Sequence, residues 1–205
     1  MNGRTTPQAL DITVHLDDTA RNRIEVTGRA VIRAPREQIF DLCCPVREEE
    51  WIDGWDCNVY ELVHSRSGVN EKNCVFRERL SKPLFFGESG PTTWVTTVHD
   101  PDRFALEFLL LFGDIGVLNR SFQLERLDDD ATACDCTDTL LLLDRTLSRS
   151  QLDLLATKMQ AFLYVTWNAL RHYCETGEAL PSQLAVASPA ADPRKGEAHD
   201  TQRKR

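Results

Sequence analysis

The stretch between Ser148 and Gly177 limits most strongly what this chain can fold into, because it predicts one very long helix. Ser148 and Gln151 form the capping-box pattern at its start, and Gly177 suits its C-terminal cap. At 1.5 Å per residue, its roughly 28 residues extend about 42 Å. Mostly apolar side chains recur there at spacings of three and four residues, which is typical of an amphipathic helix: Leu152, Leu155, Met159, Phe162, Thr166, Leu170 and Tyr173. Such a helix must bury its apolar face against a large partner.

The partner is predicted to be an antiparallel sheet, because the segments before the helix alternate between apolar and polar residues. Ile24–Ile32 is the first such segment, and six more lie between Trp55 and Leu143, separated by turn signals. After the first strand, Ala34-Pro35 opens one short helix, and residues 47–51 form a second. The sequence therefore predicts an α+β protein: a curved antiparallel sheet of about seven strands wrapped around a long C-terminal helix, with two short helices after strand 1.

The folded unit is predicted to span residues 23–180. Residues 1–22 are polar without a sustained period, and we expect them to form a flexible N-terminal segment. Residues 181–205 lack aromatic side chains and are rich in Ala, Pro, Asp, Lys and Arg, so we expect a disordered tail. No window approaches the roughly 18 uninterrupted apolar residues that span a bilayer. The N-terminal residues show no secretory signal pattern, so a cytoplasmic location is predicted.

Charge and cysteine content narrow the set of partners. The chain has 24 basic and 32 acidic residues, and its net charge of −8 disfavours nucleic acid and membrane insertion. Its seven cysteines are an odd number, and none has the paired spacing of a structural zinc site. We therefore expect free, mostly buried thiols and no metal. The sequence has no phosphate-binding glycine loop and no dinucleotide fingerprint, so no cofactor is expected.

The order of elements and several motifs resemble the START-like superfamily, also called SRPBCC. Ala34-Pro35-Arg36-Glu37-Gln38-Ile39-Phe40 resembles its opening strand–helix junction, and Glu48-Glu49-Glu50-Trp51-Ile52-Asp53-Gly54-Trp55 resembles the tryptophan-bearing segment of bacterial members. Cys74-Val75-Phe76-Arg77 and Thr93-Trp94-Val95-Thr96 resemble two of its strands. The resemblance covers about residues 23–177 and implies the helix-grip fold, with a cavity between the sheet and the long helix. This superfamily includes polyketide cyclases, birch-pollen-allergen relatives and activators of a chaperone ATPase.

The resemblance implies that a hydrophobic or aromatic small molecule binds in that cavity, whose volume we expect to be at least about 300 Å³. The candidate ligand-binding residues are bulky groups on the predicted strands and helix, together with two tryptophans near the expected mouth: Phe76, Trp94, Phe108, Met159, Phe162, Trp51 and Trp55. The alternative for each apolar group is ordinary core packing. For Trp51 and Trp55 the alternative is to anchor the helix–loop junction.

Three carboxylates are candidate acid–base groups. Glu78 shares a strand face with Phe76, and Asp138 shares one with Cys136, so each would be a polar group inside the cavity if those faces point inward. Glu107 has apolar residues on both faces of its strand, so the sequence does not decide whether its side chain points inward. The alternative for each is a strand carboxylate near an edge, paired with arginine or with solvent.

The functional interpretation favours a binding protein over an enzyme and leaves two alternatives. An enzyme of the polyketide cyclase, aromatase or dehydratase type would bring carboxylates or an arginine together at one cavity. A protein-interaction module related to the chaperone-ATPase activators would show a filled core and an exposed apolar patch. The oligomeric state, including a homodimer, stays open at this point.

Overall fold

The computed structural model describes residues 10–16, 22–53, 59–79 and 91–180. The helices are α1 (Arg36–Leu42), α2 (Glu48–Trp51) and α3 (Arg149–Thr176), and a 3-10 turn at Pro45–Arg47 precedes α2. The strands are β1 (Asp11–Leu16), β2 (Arg23–Ile32), β3 (Val59–His64), β4 (Val75–Arg79), β5 (Pro91–Asp100), β6 (Ala105–Leu111), β7 (Gly116–Arg126) and β8 (Thr132–Leu142).

All of these strands belong to one sheet in the order β1-β2-β8-β7-β6-β5-β4-β3, and each neighbouring pair is antiparallel. The sheet places β1 at one edge and β3 at the other. Helix α3 packs on the buried face, with contacts to β1 and β2 and to the short helices α1 and α2. The predicted α+β helix-grip architecture is confirmed.

Strand β1 lies within the segment that was expected to be flexible. Its residues Ile12, Val14 and Leu16 are half-buried and pack on the core, whereas the alternate side chains are exposed. The strand pairs with β2 along its whole length. Its alternation spans only six residues, which is why the sequence pattern did not separate it from its polar flanks. Residues 11–16 thus form a strand that the sequence analysis did not predict. Residues 1–9 and 17–21 and the predicted tail 181–205 lie outside the described residues.

Helix α3 begins and ends where the sequence predicts. The Ser148 hydroxyl accepts a hydrogen bond from the backbone N–H of Gln151, and the Gln151 side chain accepts one from the backbone N–H of Ser148 at 2.8 Å. Gly177 adopts a left-handed conformation with φ of 78°, and its N–H donates to the Tyr173 carbonyl. Local side-chain and backbone chemistry thus sets both ends of the helix.

The buried face of α3 differs from the predicted stripe. Phe162 and Thr166 are only partly buried, whereas the fully buried positions are Leu152, Ala156, Met159, Leu163, Trp167, Ala169 and Leu170. The helix approaches β2 closely at Gly28, where a Cβ atom would lie 2.9 Å from Cδ2 of Leu163. Small residues at such contacts decide which face of a helix approaches a sheet, and a stripe built mainly from bulky side chains overlooks them.

Candidate functional site

A row of aromatic side chains crosses the buried face of the sheet. Phe76 on β4 stacks on Trp94 on β5 with ring centroids 5.6 Å apart, and Trp94 contacts Phe108 on β6 edge-to-face at 5.8 Å. Phe122 on β7 lies 6.3 Å from Phe108 and 5.9 Å from Trp167 on α3. Offset and edge-to-face pairs of this kind stabilise a core beyond the area that they bury. The row links the β4 end of the sheet to helix α3.

Most of the predicted ligand-binding residues lie in this interior. Phe76, Trp94, Phe108 and Met159 are buried, and so is Trp51. The indole Nε1 of Trp51 donates to the Leu42 carbonyl at 3.1 Å, which is the anchoring role weighed as its alternative. The structure thus brings Phe76, Trp94 and Phe108 together, while their contact with a ligand stays a prediction.

The other two predicted ligand-binding residues are Phe162 and Trp55. Phe162 is partly buried, and the guanidinium carbon of Arg120 lies 5.4 Å from the centre of its ring. That distance is within the range of a cation–π contact, so the ring already has a partner inside the protein. Trp55 lies outside the described residues.

The predicted carboxylates occupy three different environments. Glu78 is buried and accepts a hydrogen bond from Nε1 of Trp94 at 2.8 Å. Asp138 is buried and belongs to β8, which three other strands separate from Glu78 on β4. Glu107 lies on the opposite face of β6 from buried Phe108, and its Oε1 accepts from the Thr97 hydroxyl at 2.8 Å. The structure therefore does not bring these three groups together at one cavity.

Arg120 is a site residue that the sequence analysis missed. It is buried and binds Asp138 through two parallel contacts, from Nε to Oδ1 at 2.8 Å and from Nη2 to Oδ2 at 2.7 Å. Burial opposes the charged guanidinium, but the charge and hydrogen bonds of Asp138 outweigh it and raise the pKa of Arg120. Arg120 alternates with Leu118 and Phe122 along β7, so the pattern that placed Asp138 inside also indicates Arg120.

A small recess, which we call the notch, lies where α3 meets α1, α2 and β7. It encloses about 20 Å³. Its free space is enough for one water molecule. The residues that line it are Cys43, Glu48, Trp51, Arg120, Phe122, Leu163, Thr166, Trp167 and Leu170. The larger cavity expected between sheet and helix is therefore not found at this place, where the side chains of Phe122, Leu163 and Trp167 line the space.

A larger recess, which we call the edge pocket, lies at the other end of the aromatic row and encloses about 340 Å³. It is lined by the 3-10 turn, α2, β3, β4 and the β3–β4 turn through Val46, Glu49, Leu62, Gly68, Val69, Asn70, Cys74 and Phe76. Leu62 and Phe76 are direct partners across the β3–β4 ladder, so they share one face of the sheet. Phe76 is thus both a wall of the edge pocket and the first ring of the aromatic row.

The cysteines in the described ranges are free thiols. Burial raises the pKa of Cys44 to about 11 and also raises the pKa of Cys43 and Cys136. Thiols with raised pKa values are poor nucleophiles at neutral pH. Across the described residues, no three His, Cys, Asp or Glu side chains are grouped so that they could hold a metal ion. Among the helices of that same part of the chain, none is both long enough and apolar enough to cross a bilayer.

No protein-family model matches the sequence, and no curated protein matches it. Solved structures do match. The START superfamily protein from Mycobacterium smegmatis is 16% identical with a TM-score of 0.54, and the alignment covers 74% of this chain and 97% of that one. The Zhui aromatase/cyclase from Streptomyces sp. R1128 is 14% identical with a TM-score of 0.55, covering 77% and 99%. Ara h 8.0201 is 12% identical with a TM-score of 0.57, covering 75% and 99%.

Likeness at such low identity shows the fold and does not carry residue roles from one chain to another. The motifs around Ala34-Pro35, Phe76 and Trp94 and the observed sheet and helix agree with it. The chain therefore has the helix-grip fold, which it shares with these solved structures.

Proposed function

We propose that this protein binds a hydrophobic or aromatic small molecule, and that the molecule occupies the edge pocket. The observation that carries the proposal is the volume of about 340 Å³ beside the aromatic ring of Phe76. Small-molecule sites are concave, mostly apolar and about 300–1,000 Å³ in volume. The similarity to a START superfamily protein and to an aromatase/cyclase supports the same class of function. This location lies nearer the sheet edge than the cavity predicted between sheet and α3.

The lining of the edge pocket indicates what kind of molecule it accepts. Val46, Leu62, Val69 and Phe76 supply apolar surface, and Glu49 supplies a carboxylate. A carboxylate in the wall disfavours an anionic ligand such as a fatty acid. A neutral, mostly apolar molecule with an aromatic ring fits this lining best.

Asn70 supplies a polar group to the wall of the edge pocket. Asn70 accepts a hydrogen bond from the Thr96 hydroxyl through its Oδ1 at 2.6 Å. That contact holds the amide in one orientation, so its NH₂ group supplies the donor for a ligand oxygen. A fixed donor beside apolar side chains is the arrangement by which small-molecule sites set ligand orientation.

A thermal-shift screen with flavonoids, polyketide-like aromatics and fatty acids tests the proposal. A ligand that binds only the folded state raises its free energy of unfolding by about 2.7 kcal/mol at a hundredfold excess over Kd. We expect hits among the neutral aromatics. Leu62→Lys places a charge in the pocket wall and should abolish the shift.

Leu141→Lys is the matched control, because Leu141 is also a strand leucine and is 46% exposed, compared with 44% for Leu62. Leu141 does not line the edge pocket. The control variant should keep the ligand shift. Equal loss in both variants, or no hit with any aromatic compound, would contradict the proposed site.

A protein-interaction surface is the second candidate, and one observation favours it. Val46, Leu62 and Val69 line the edge pocket and are between 38% and 63% exposed, and β3, which carries Leu62, is the last strand of the sheet. Apolar edge strands favour pairing with another chain. Light scattering across a range of concentrations separates the two candidates. A dimer that Leu62→Lys abolishes supports the interaction surface, and a monomer that binds aromatic ligands supports the small-molecule site.

The enzyme alternative has less support from the geometry. Both carboxylate oxygens of Asp138 are bound to Arg120, so Asp138 acts as an acid or base only if this pair is broken. Glu78 and Asp138 are separated by three strands, so they cannot form a pair of catalytic carboxylates.

A further inference from the structure

The described part of the chain ends close to the edge pocket. After helix α3, Leu180 forms a parallel β-bridge with Ile52, the residue that follows α2, and its half-buried side chain packs on the core. Helix α2 supplies Glu49 to the pocket wall, and β3 supplies Leu62. Because the bridge is parallel, the chain beyond Leu180 sets out in the direction that the chain from Ile52 takes towards β3. Residues 181–205 therefore start beside two walls of the edge pocket.

The distance from this bridge to the pocket is short. Glu49 lies three residues before Ile52, which is about one helical turn or 5 Å. Four residues of extended chain span up to about 14 Å. Leu184 follows Leu180 by four residues, so its side chain is within reach of the edge pocket.

The residues that follow the bridge suit an apolar recess. Prolines stand at both ends of residues 181–189, which we call the bounded segment. A residue before proline favours extended backbone, which agrees with the bridge at Leu180. Leu184 and Val186 are two residues apart, so their side chains lie on one side of an extended segment. The bounded segment and the two alanines after it carry no charge, although 27% of the whole chain is charged.

The walls of the edge pocket match such a segment in polarity and in charge. Val46, Leu62 and Val69 are between 38% and 63% exposed in the described part of the chain, and covering such surface is favourable. Glu49 adds a carboxylate to the wall, which disfavours an acidic occupant. The bounded segment is uncharged and has two apolar side chains on one side.

We propose that the bounded segment occupies the edge pocket of its own chain, with Leu184 and Val186 packed against Leu62 and Val69. A small molecule then binds there by displacing the segment. The docking rests on the bridge, the reach and the recess, whereas the displacement also rests on the function proposed above. A pocket filled by its own segment for about 80% of the time binds a ligand about fivefold more weakly, because only the open fraction is competent.

Nuclear magnetic resonance relaxation of the full chain tests the docking. Rigid backbone has amide order parameters of about 0.85, and flexible backbone has values below about 0.6. We expect residues 183–187 to approach the rigid value and residues 196–205 to have the flexible one. Leu62→Lys changes the pocket wall and should make residues 183–187 flexible. Leu141→Lys is again the matched control and should leave them ordered.

Binding of Nile red, a neutral aromatic dye, tests the displacement. Combining Leu184→Asp with Val186→Asp removes the apolar contacts and changes only the bounded segment. This double variant should bind the dye about fivefold more tightly than the unmodified chain. Combining Ala190→Asp with Ala191→Asp adds the same two charges just beyond the segment, so this control should bind the dye as the unmodified chain does.

The possible failures of the two proposals are distinguishable. Flexible residues 183–187 in the unmodified chain, or order that persists in Leu62→Lys, would overturn the docking. Order that increases with protein concentration would overturn it as well, because a second copy would then supply the segment. Equal dye affinity in the two double variants would contradict the displacement. Ordered residues 183–187 without dye binding in any variant would support the docking and count against the ligand site.

Discussion

The two ends of the buried sheet face hold a buried carboxylate with different partners. Each end buries one carboxylate, Glu78 on β4 and Asp138 on β8, and each is 1% exposed. Glu78 meets the neutral indole N–H of Trp94, whereas Asp138 meets the charged, two-pronged guanidinium of Arg120. Strand alternation predicts both burials equally well, but the partner on the neighbouring strand differs, a guanidinium for Asp138 and an indole N–H for Glu78.

The largest effect that this comparison predicts comes from breaking the charged end. Asp138→Ala leaves the buried Arg120 guanidinium without its counter-ion and should lower the free energy of unfolding by about 3–5 kcal/mol. Urea denaturation of the purified variant measures this loss. A loss below about 1 kcal/mol would show that the pair is not held in a desolvated environment.

Asp135→Ala is the matched control for that variant, because Asp135 lies on the same strand but faces solvent. Its salt bridge to Arg29 is 2.5 Å long, and both side chains are more than 40% exposed. Solvent screening makes such pairs worth about 0–1 kcal/mol. The two aspartates of β8 should therefore differ several-fold in their effect on stability.

Removing the indole N–H at the Glu78 end should have a smaller effect. Trp94→Phe keeps the stacked ring beside Phe76 but removes the N–H that Glu78 accepts from. Losing a donor to a buried acceptor costs about 1–3 kcal/mol. The same urea experiment should place this variant between the Asp138 and Asp135 variants. A loss as large as that of Asp138→Ala would remove the distinction between the two ends.

The effect that is smallest near neutral pH comes from the Cys44 thiol, which titrates only in the alkaline range. Burial raises the pKa of Cys44 to about 11, whereas an unfolded thiol titrates near about 8.5. The stability that the protonated thiol contributes is fully present below about pH 8.5 and is lost as the pH rises towards 11. This loss is at most about 1.4 kcal/mol per pH unit. Arg120 does not titrate in this range, since Asp138 raises its pKa.

Cys44→Ser removes that thiol and should make the decline of stability between pH 8.5 and pH 11 shallower. Urea midpoints at three pH values in this interval measure the slope. Identical slopes in the variant and the parent protein would show that Cys44 is not protected from titration by the fold.

Local chemistry explains how much of the fold was predictable. The capping box at Ser148 and Gln151 and the left-handed Gly177 act over a few residues, so the helix ends could be read from the sequence. The inward direction of Glu78 and Asp138 follows from a period of two along each strand. Both predictions required no knowledge of distant residues.

The features that the sequence did not predict depend on contacts between residues far apart in the chain. Arg120 and Asp138 are opposite each other only because β7 and β8 pair in one register, which no single strand encodes. The volume of the notch depends on how Trp167 and Leu163 pack against Phe122, a matter of a few tenths of an ångström. The Nε1–H of Trp167, which has no acceptor in the described part of the chain, depends on the same packing, so no pattern along α3 predicts it.

The close contact between Gly28 and Leu163 lets the long helix lie near the backbone of β2. With no Cβ on the strand, the Leu163 side chain rests almost directly on the backbone, and Trp167 follows one helical turn later. A Cβ at position 28 would displace the Leu163 side chain, which lines the notch. The shape of the notch thus depends on a glycine that does not line it, so exchange of this one residue alters the recess while every lining residue keeps its identity.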